Sequence, residues 1–441
     1  MIIQSLYTYL FEKDRRFYLY NSKNSLFAEI SEDLYIALFN RDYGSIPDEI
    51  ITDLKNKEVV CDDKDLYTYY QSQLVKFNAN CYNRSEIGLI IMPTTGCNFE
   101  CKYCFEGDKM MSRMSSEVQE KIVSYLNGNK DADTINLTWY GGEPLIAFDI
   151  IENLYNRFTQ IQDKTIKSHS IVTNGYPITD KVIEFINYAK VNSIQITLDG
   201  TKENHDKSRY IKAAKSPTFD IIIRNIGRVL EKCPDTKVNL RINIDRHNLN
   251  DFIVVFKELT NIFDSRNLYI YPGFIRIDTP DHCSLCYDSL SRSKAFEFFK
   301  SLRNEGIAID IIPKEIRSRG CVMQQMNSFI IGPGGELYKC WNDVNHNERV
   351  IGHIGSNKIE NQGLYFHMMS ETSAFSDDNC KDCLHFPVCS GGCGWYRSMN
   401  IKKNAKYDLC LIQKDNNILE EALLLSLSND KILYKQHLPM L

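Results

Sequence analysis

Long hydrophobic runs are missing from this sequence. Its most apolar stretches, Ile221–Ile222–Ile223 and Ala422–Leu425, fall far short of the roughly 18 residues that a membrane span needs. A surplus of one charge is missing too. The 52 basic and 57 acidic residues leave a formal charge of −5, which offers no footprint for a nucleic-acid binder working through global charge. With 43% hydrophobic and 25% charged residues, neither a disordered nor a collagen-like chain fits. No repeat at solenoid periods is evident. The opening residues MIIQSLYTYLFEKDRRFY lack a basic region ahead of their apolar positions and a small-residue cleavage site. No signal peptide is expected, and the expected compartment is the cytoplasm, with neither a membrane nor a nucleic acid as partner.

Cysteine is the residue present in excess: 15 of 441. In a reducing compartment that many thiols point to metal rather than disulfides. Cys61, Cys81 and Cys233 stand alone and read as small apolar core residues. The others are grouped. Cys97, Cys101 and Cys104 fall close together, and Cys380, Cys383, Cys389, Cys393 and Cys410 crowd the last quarter.

The 441 residues suggest about three domains. Residues 1–88 read as a small winged-helix-like module: two strands in FYLYNSKNSLFAEI, two short helices, then a linker helix near residues 65–83. Residues 89–306 alternate strand and helix. GLIIMPTT, INLTWY, SHSIVTNG, SIQITLDG, VNLRINID and LYIYPGFI are the strand candidates, with amphipathic helices between them. The expected class is therefore α/β, a partial (β/α)6 TIM-like barrel on a parallel sheet with right-handed crossovers. Residues 307–441 are cysteine-rich and end in an amphipathic helix, NNILEEALLLSLSND.

PTTGCNFECKYCFEG places Cys97, Cys101 and Cys104 in a C-x3-C-x2-C spacing directly after the first barrel strand. Thiolates are soft donors for iron–sulfur clusters or zinc, and three ligands leave a fourth position open. The spacing, with Tyr103 ahead of the third cysteine, resembles the radical S-adenosylmethionine (SAM) superfamily. That resemblance implies a [4Fe–4S] cluster whose fourth iron is chelated by SAM, and a 5′-deoxyadenosyl radical that abstracts hydrogen from substrate. Gly141–Gly142–Glu143–Pro144 is similar to the family's GGEP motif, which implies a hold on the SAM amino group. By the same resemblance Arg209 pairs with the SAM carboxylate. Thr173, Asn174, Asp199 and Asn243 end successive strands and point at the same rim, where barrel sites form. His205 and Asp206 match family positions but read equally well as turn or ion-pair residues.

The cysteines of the last third run C-x13-G-x4-C, then C-x2-C-x5-C-x3-C, then a final C, beginning at Cys321 and Cys340. This string resembles the seven-cysteine SPASM domain, which implies up to two auxiliary [4Fe–4S] clusters and three in all. By the family's interleaved pattern Cys380, Cys383, Cys389 and Cys410 hold the outer cluster, while Cys321, Cys340 and Cys393 hold the inner one. The inner cluster is then one ligand short. Glu315 stands where some relatives carry an extra cysteine. Cys283, Cys286 or an open iron that takes a substrate thiolate would complete it.

The resemblance implies a peptide or protein maturase. Sulfatase maturases, which make formylglycine, usually carry an Asp directly after the Gly-x4-Cys cysteine, but Trp341 stands there. Asp343, two positions on, is the one candidate catalytic base. The N-terminal module resembles leader-binding domains of maturases for ribosomally made peptides. The expected partners are a precursor peptide with its leader and an electron donor such as flavodoxin or ferredoxin. The expected product is a crosslink, foremost a Cys thioether. The alternatives are a carbon–carbon crosslink, formylglycine, or a non-catalytic electron-transfer protein.

Overall fold

The computed structural model describes residues 1–101, 104, 111–245, 247–275, 291–309, 312, 319–356, 358–389, 391–427 and 434–436. Tyr103, Cys283, Cys286 and Glu315 lie outside the described residues. The chain divides into two compact units, Met1–Asn83 with Asp310–Met326 and Phe366–Ile432, and Arg84–Ile309 with Asn327–Tyr365 and Leu433–Leu441.

The first unit opens with β1 (Ile2–Gln4), β2 (Thr8–Lys13), β3 (Arg16–Asn21), β4 (Leu26–Ile30), α1 (Glu32–Phe39), α2 (Asp48–Asn56), β5 (Val60–Asp62) and α3 (Thr68–Cys81). Strands β2, β3 and β4 form an antiparallel meander, and β1 pairs with β5. Ser31 starts α1 by accepting from the Leu34 N–H, with Glu32 and Asp33 at the positive end of the helix dipole. Leu19, Leu38, Ile51, Leu54 and Val59 share one apolar core beneath the meander. The sequence reading has two strands in this module, β3 and β4; the structure has five, three of them in the meander. The β2–β3 turn runs through Asp14 and Arg15, both at positive φ. Without Gly or Asn it carries none of the usual hairpin signal.

The second unit holds β6 (Glu86–Ile91), α4 (Ser116–Gly128), β7 (Thr134–Trp139), α5 (Phe148–Phe158), β8 (Thr165–Thr173), α6 (Asp180–Tyr188), β9 (Ser193–Leu198), α7 (Lys202–Ser208), α8 (Phe219–Lys232), β10 (Lys237–Ile244), α9 (Asp251–Ile262), β11 (Leu268–Phe274) and α10 (Arg292–Asn304). Strands β6 to β11 lie in sequence order, each parallel to the next, as the β-α alternation predicts. Ser115 and Thr179 cap α4 and α6, each accepting from a backbone N–H three residues on. Helix α5 buries Ile150, Ile151, Leu154, Tyr155 and Phe158 along one face. Beyond β12 (Ile307–Ile309), the sheet gains a feature the sequence reading lacks. β13 (Ser328–Ile331) pairs parallel with β6, followed by β14 (Glu336–Tyr338) and β15 (Gly352–His353), giving nine strands.

The chain continues through α11 (Gln362–Ser370), α12 (Asp378–Lys381), α13 (Gly394–Lys403), α14 (Asn416–Leu427) and β16 (Tyr434–Gln436). In the first unit, Leu419 and Leu423 of α14 pack on Phe11, Tyr18 and Tyr20 of the meander, and Tyr9 donates to Glu420 at 2.7 Å. Phe386 packs on Tyr7 and Ala374, with Cys380 and Cys383 against the same cluster. Among the described residues no helix is long and apolar enough to cross a membrane.

Candidate active site

The loop after β6 carries Cys97, Cys101 and Cys104, at the C-terminal edge of the parallel sheet where open sites form. Burial pushes the Cys101 thiol up to about 12, the Arg209 guanidinium pulls it back, and Asp199, Cys104 and Cys97 push it further up. Five residues from three loops therefore act on one another. Cys97 Sγ accepts from the Phe99 N–H at 3.4 Å, and Asn174 Nδ2 lies 4.0 Å from the same sulfur while donating to Asn98 Oδ1 at 2.8 Å. Arg209 sits 5.7 Å over the Phe99 ring and 3.9 Å from Asp199 Oδ1.

The Gly141–Gly142–Glu143 loop closes directly on the cysteine loop. Gly142 donates to Thr94 O and Glu143 to Gly96 O, at 3.3 and 2.9 Å. A Cβ at Gly142 would stand 2.3 Å from Gly96 O, so only glycine allows this approach. Glu143 is completely buried. Its carboxylate accepts from Leu145 N, Thr173 Oγ1 and Asn174 N at 3.0, 2.7 and 2.6 Å. Burial pushes its pKa up to about 7, against the pull of those donors and of Arg209. The carboxylate thus locks the loop after β7 to the loop after β8.

Asp199 accepts from Ser208 Oγ at 2.7 Å and from Asn243 Nδ2 at 3.3 Å. His205 is fully buried. Its Nδ1 accepts from Asp199 N, so Nε2 carries the proton toward Thr218 Oγ1, which donates on to Arg209 O. His205 is a neutral strut that fixes the backbone of Arg209, and burial holds its basicity well below the ordinary range. Asp206 Oδ1 accepts from Thr218 N and Phe219 N at the start of α8. The structure thus gathers Gly141, Gly142, Glu143, Thr173, Asn174, Asp199, Arg209 and Asn243 around the first cysteine loop. Asn98 and Ser208 join them without having been singled out by sequence, since neither stands in a motif of its own.

Cys340 follows β14 in the same unit, and Trp341 stacks on Tyr140 with ring centroids 5.4 Å apart. Asp343 is buried and pairs with Arg349, Nε to Oδ1 at 2.7 Å.

Cys321, Cys380, Cys383, Cys389, Cys393 and Cys410 belong to the first unit. Cys389 is pushed up by burial and feels Cys383 and Cys410; burial pushes Cys380 up to about 11, and it feels Cys389. Gly391 and Gly392 both have positive φ, and a Cβ at Gly392 would meet Leu409 O at 2.2 Å. That approach brings the Cys389–Cys393 loop beside Cys410. Arg397 Nη2 lies 3.8 Å from Cys380 Sγ, and Lys414 Nζ 3.5 Å from Cys383 Sγ. Gln324 Oε1 accepts from Cys321 N at 2.9 Å, and its Nε2 lies 2.6 Å from where a Gly394 Cβ would sit, beside Cys393.

Among the described residues no three Cys, His, Asp or Glu side chains converge as ligands of a single ion. Cys81 and Cys233 are buried, with their thiols against Arg319 O and Ile183 O, as solitary core cysteines would be.

Residues 91–259 match the model of the radical SAM superfamily. A cysteine-type anaerobic sulfatase-maturating enzyme of Clostridium novyi is 27% identical over 70% of this chain and 87% of its own length. An uncharacterised protein of Methanocaldococcus jannaschii is 30% identical over 57% of this chain and 84% of its own. The solved structure of anSMEcpe with bound AdoMet superposes with a TM-score of 0.62 at 20% identity, covering 77% of this chain and 93% of that one. Streptococcus suis SuiB bound to precursor peptide SuiA superposes at 0.52 and 14% identity, covering 93% and 99%.

Proposed function

The chain belongs to the radical SAM superfamily, and on that premise we propose that it is a peptide maturase that crosslinks a ribosomally made precursor, foremost through a Cys thioether. Cys97, Cys101 and Cys104 would hold a [4Fe–4S] cluster, which together with SAM supplies the radical that abstracts hydrogen from the substrate. The single observation that carries this reading is the convergence of those thiols with Arg209, Asp199 and the Glu143-locked glycine loop. Arg209 would take the SAM carboxylate, held in place by the His205 strut, and the Gly141–Gly142 backbone would face the SAM amino group.

The second set of cysteines would hold auxiliary clusters in a SPASM-like segment, for three [4Fe–4S] clusters in all. Cys380, Cys383, Cys389 and Cys410 form the outer set. By the sequence spacing alone, Cys321, Cys340 and Cys393 would be the inner set, with Cys283, Cys286 or a substrate thiolate as its fourth ligand. Forming a carbon–sulfur bond after hydrogen abstraction releases one proton and one electron. These clusters would accept that electron and pass it on to an oxidised carrier such as a ferredoxin or flavodoxin, whose reduced form would supply the electron for the next SAM cleavage.

Residues 1–83 would recognise the leader. In the meander, β4 is an edge strand paired with β3, and Ile36 and Phe39 on the neighbouring α1 are 47% and 65% exposed. An edge strand beside an apolar helix face suits an extended peptide that adds as a further strand. SuiB, whose solved complex contains a precursor peptide, matches over 93% of this chain.

Formylglycine formation is the second reading, favoured by the likeness to the Clostridium novyi enzyme. Trp341 stands against it, because that position usually carries an Asp in such enzymes. The test is anaerobic turnover with SAM, a reductant and a Cys-containing precursor encoded beside this protein, followed by mass spectrometry. A product that has lost two hydrogens, kept its sulfur and has one Cys that no longer alkylates after reduction supports the thioether. Exchange of sulfur for oxygen at one Cys together with the loss of two hydrogens replaces it with the formylglycine reading. Loss of two hydrogens with every Cys still alkylatable points to a carbon–carbon crosslink.

A further inference from the structure

We propose that Arg397 and Lys414 set the reduction potential of the cluster held by Cys380, Cys383, Cys389 and Cys410, raising it so that this cluster accepts an electron readily. The inference rests on the outer-cluster reading above and adds the residues that tune it.

Arg397 lies in the first turn of α13 and is only 5% exposed. Its guanidinium is split between three partners. Nη1 pairs with Asp377, and Nη2 donates to Gly391 O at 2.6 Å and approaches Cys380 Sγ at 3.8 Å. Lys414 reaches the same cysteine group from the rim, 3.5 Å from Cys383 Sγ. Two cationic N–H donors thus address two different ligand sulfurs of one set. The Gly391 and Gly392 N–H groups address a third, at Cys389.

Four thiolates around a cube of four irons and four sulfides leave a negative complex, and one-electron reduction adds one more negative charge. A cation or N–H donor at a ligand sulfur stabilises the reduced form more than the oxidised form, so the potential rises. Arg397 is the stronger lever because it is buried. Asp377 offsets part of its charge, but the N–H directed at sulfur acts locally. Lys414 is exposed, and solvent screens it, so its effect is the smaller.

The competing account makes Arg397 a clamp that ties Asp377 to Gly391 O and has no electronic role. A midpoint titration separates the two. The reconstituted full-length protein is reduced stepwise with Ti(III) citrate, and each cluster's paramagnetic signal is followed. Iron content is measured on every variant, and a Cys380→Ala/Cys383→Ala variant identifies the outer cluster's signal. Arg397→Gln is expected to move that midpoint to more negative potential, and Arg397→Lys to recover part of the shift. Lys414→Met should give a smaller shift of the same sign, and Lys414→Glu a larger one than Lys414→Met. The midpoint of the cluster on Cys97, Cys101 and Cys104 should stay fixed. If Arg397→Gln loses the cluster, the two Lys414 variants still decide the matter. An outer cluster present in normal amount, with its midpoint unmoved by Lys414→Glu, overturns the tuning role. A Cys380→Ala/Cys383→Ala variant that keeps all its iron overturns the outer-cluster reading itself.

Discussion

At His169 the hydrogen-bond partners dictate the charge state. Trp139 Nε1–H can only donate, and it reaches His169 Nε2 at 2.7 Å, so that nitrogen carries no proton. Nδ1 then donates to Ala189 O at 3.1 Å. Burial pushes the ring down to about 4. Its stabilising contribution is complete above the ordinary histidine range near 6.5 and is lost as pH falls from there toward 4. The full amount is about 3 kcal/mol by linkage. His169→Gln should therefore be less stable than the parent at pH 7.5, by a margin that shrinks below pH 6; denaturant titrations across that range measure it, and a constant margin would refute the neutral, buried assignment. Glu143 carries the opposite sign. Its folded-state pKa is raised to about 7, so its contribution is complete below the ordinary carboxylate range and is lost as pH rises toward 7. Glu143→Ala leaves the Thr173, Leu145 and Asn174 donors without this acceptor, at about 1–3 kcal/mol per buried group. SAM binding should weaken by about tenfold or more. Equilibrium dialysis with labelled SAM tests this, and unchanged affinity would make Glu143 a bystander.

Among the elements, legibility followed length and local chemistry. The strands and most of their helices could be read because β6 to β10 each carry several β-branched residues and α4, α5, α6, α8, α9 and α10 each show an apolar stripe, α4 and α6 with a Ser or Thr cap. Helix α7, KENHDKS, has no apolar residue and was not read. The β2–β3 hairpin could not be read at its turn, because Asp14 and Arg15 adopt left-handed backbone without the residues that advertise it. Strands β13, β14 and β15 are four, three and two residues long, too short to show a period among the cysteines and glycines. Around the first cysteine loop the motif residues were legible from their spacing. Asn98 and Ser208 were not, since their roles come from folding onto Asn174 and Asp199. The Gly391–Gly392 pair makes a prediction at this scale. Gly392→Ala collides with Leu409 O, which must move and take Cys410 with it. The variant should retain SAM cleavage but bind about four fewer irons after reconstitution. Full iron content would show that the loop tolerates a side chain and that the close approach is incidental.

Across the whole molecule, the first unit joins the N-terminal meander to α14, and no local pattern announces that. Tyr9 and Glu420 are 411 positions apart, yet the meander and α14 share one apolar core. Removing residues 1–83 uncovers Leu419, Leu423 and Phe386 together. Such a truncation should aggregate and lose iron from the last cysteines, so leader binding is better tested with point variants such as Ile36→Asp and Phe39→Asp. A monodisperse truncation with undiminished iron would show that the shared core is dispensable. The central claim is that the loop after β6 and the strand-end residues around it cleave SAM reductively. The most direct test incubates the reconstituted protein anaerobically with SAM and dithionite and measures 5′-deoxyadenosine. The native sequence should release it steadily, and the Cys97→Ala/Cys101→Ala/Cys104→Ala variant should release none above background while keeping the iron of its other cysteines. Release that survives in the triple variant, or is absent from the fully loaded native protein, would contradict the account.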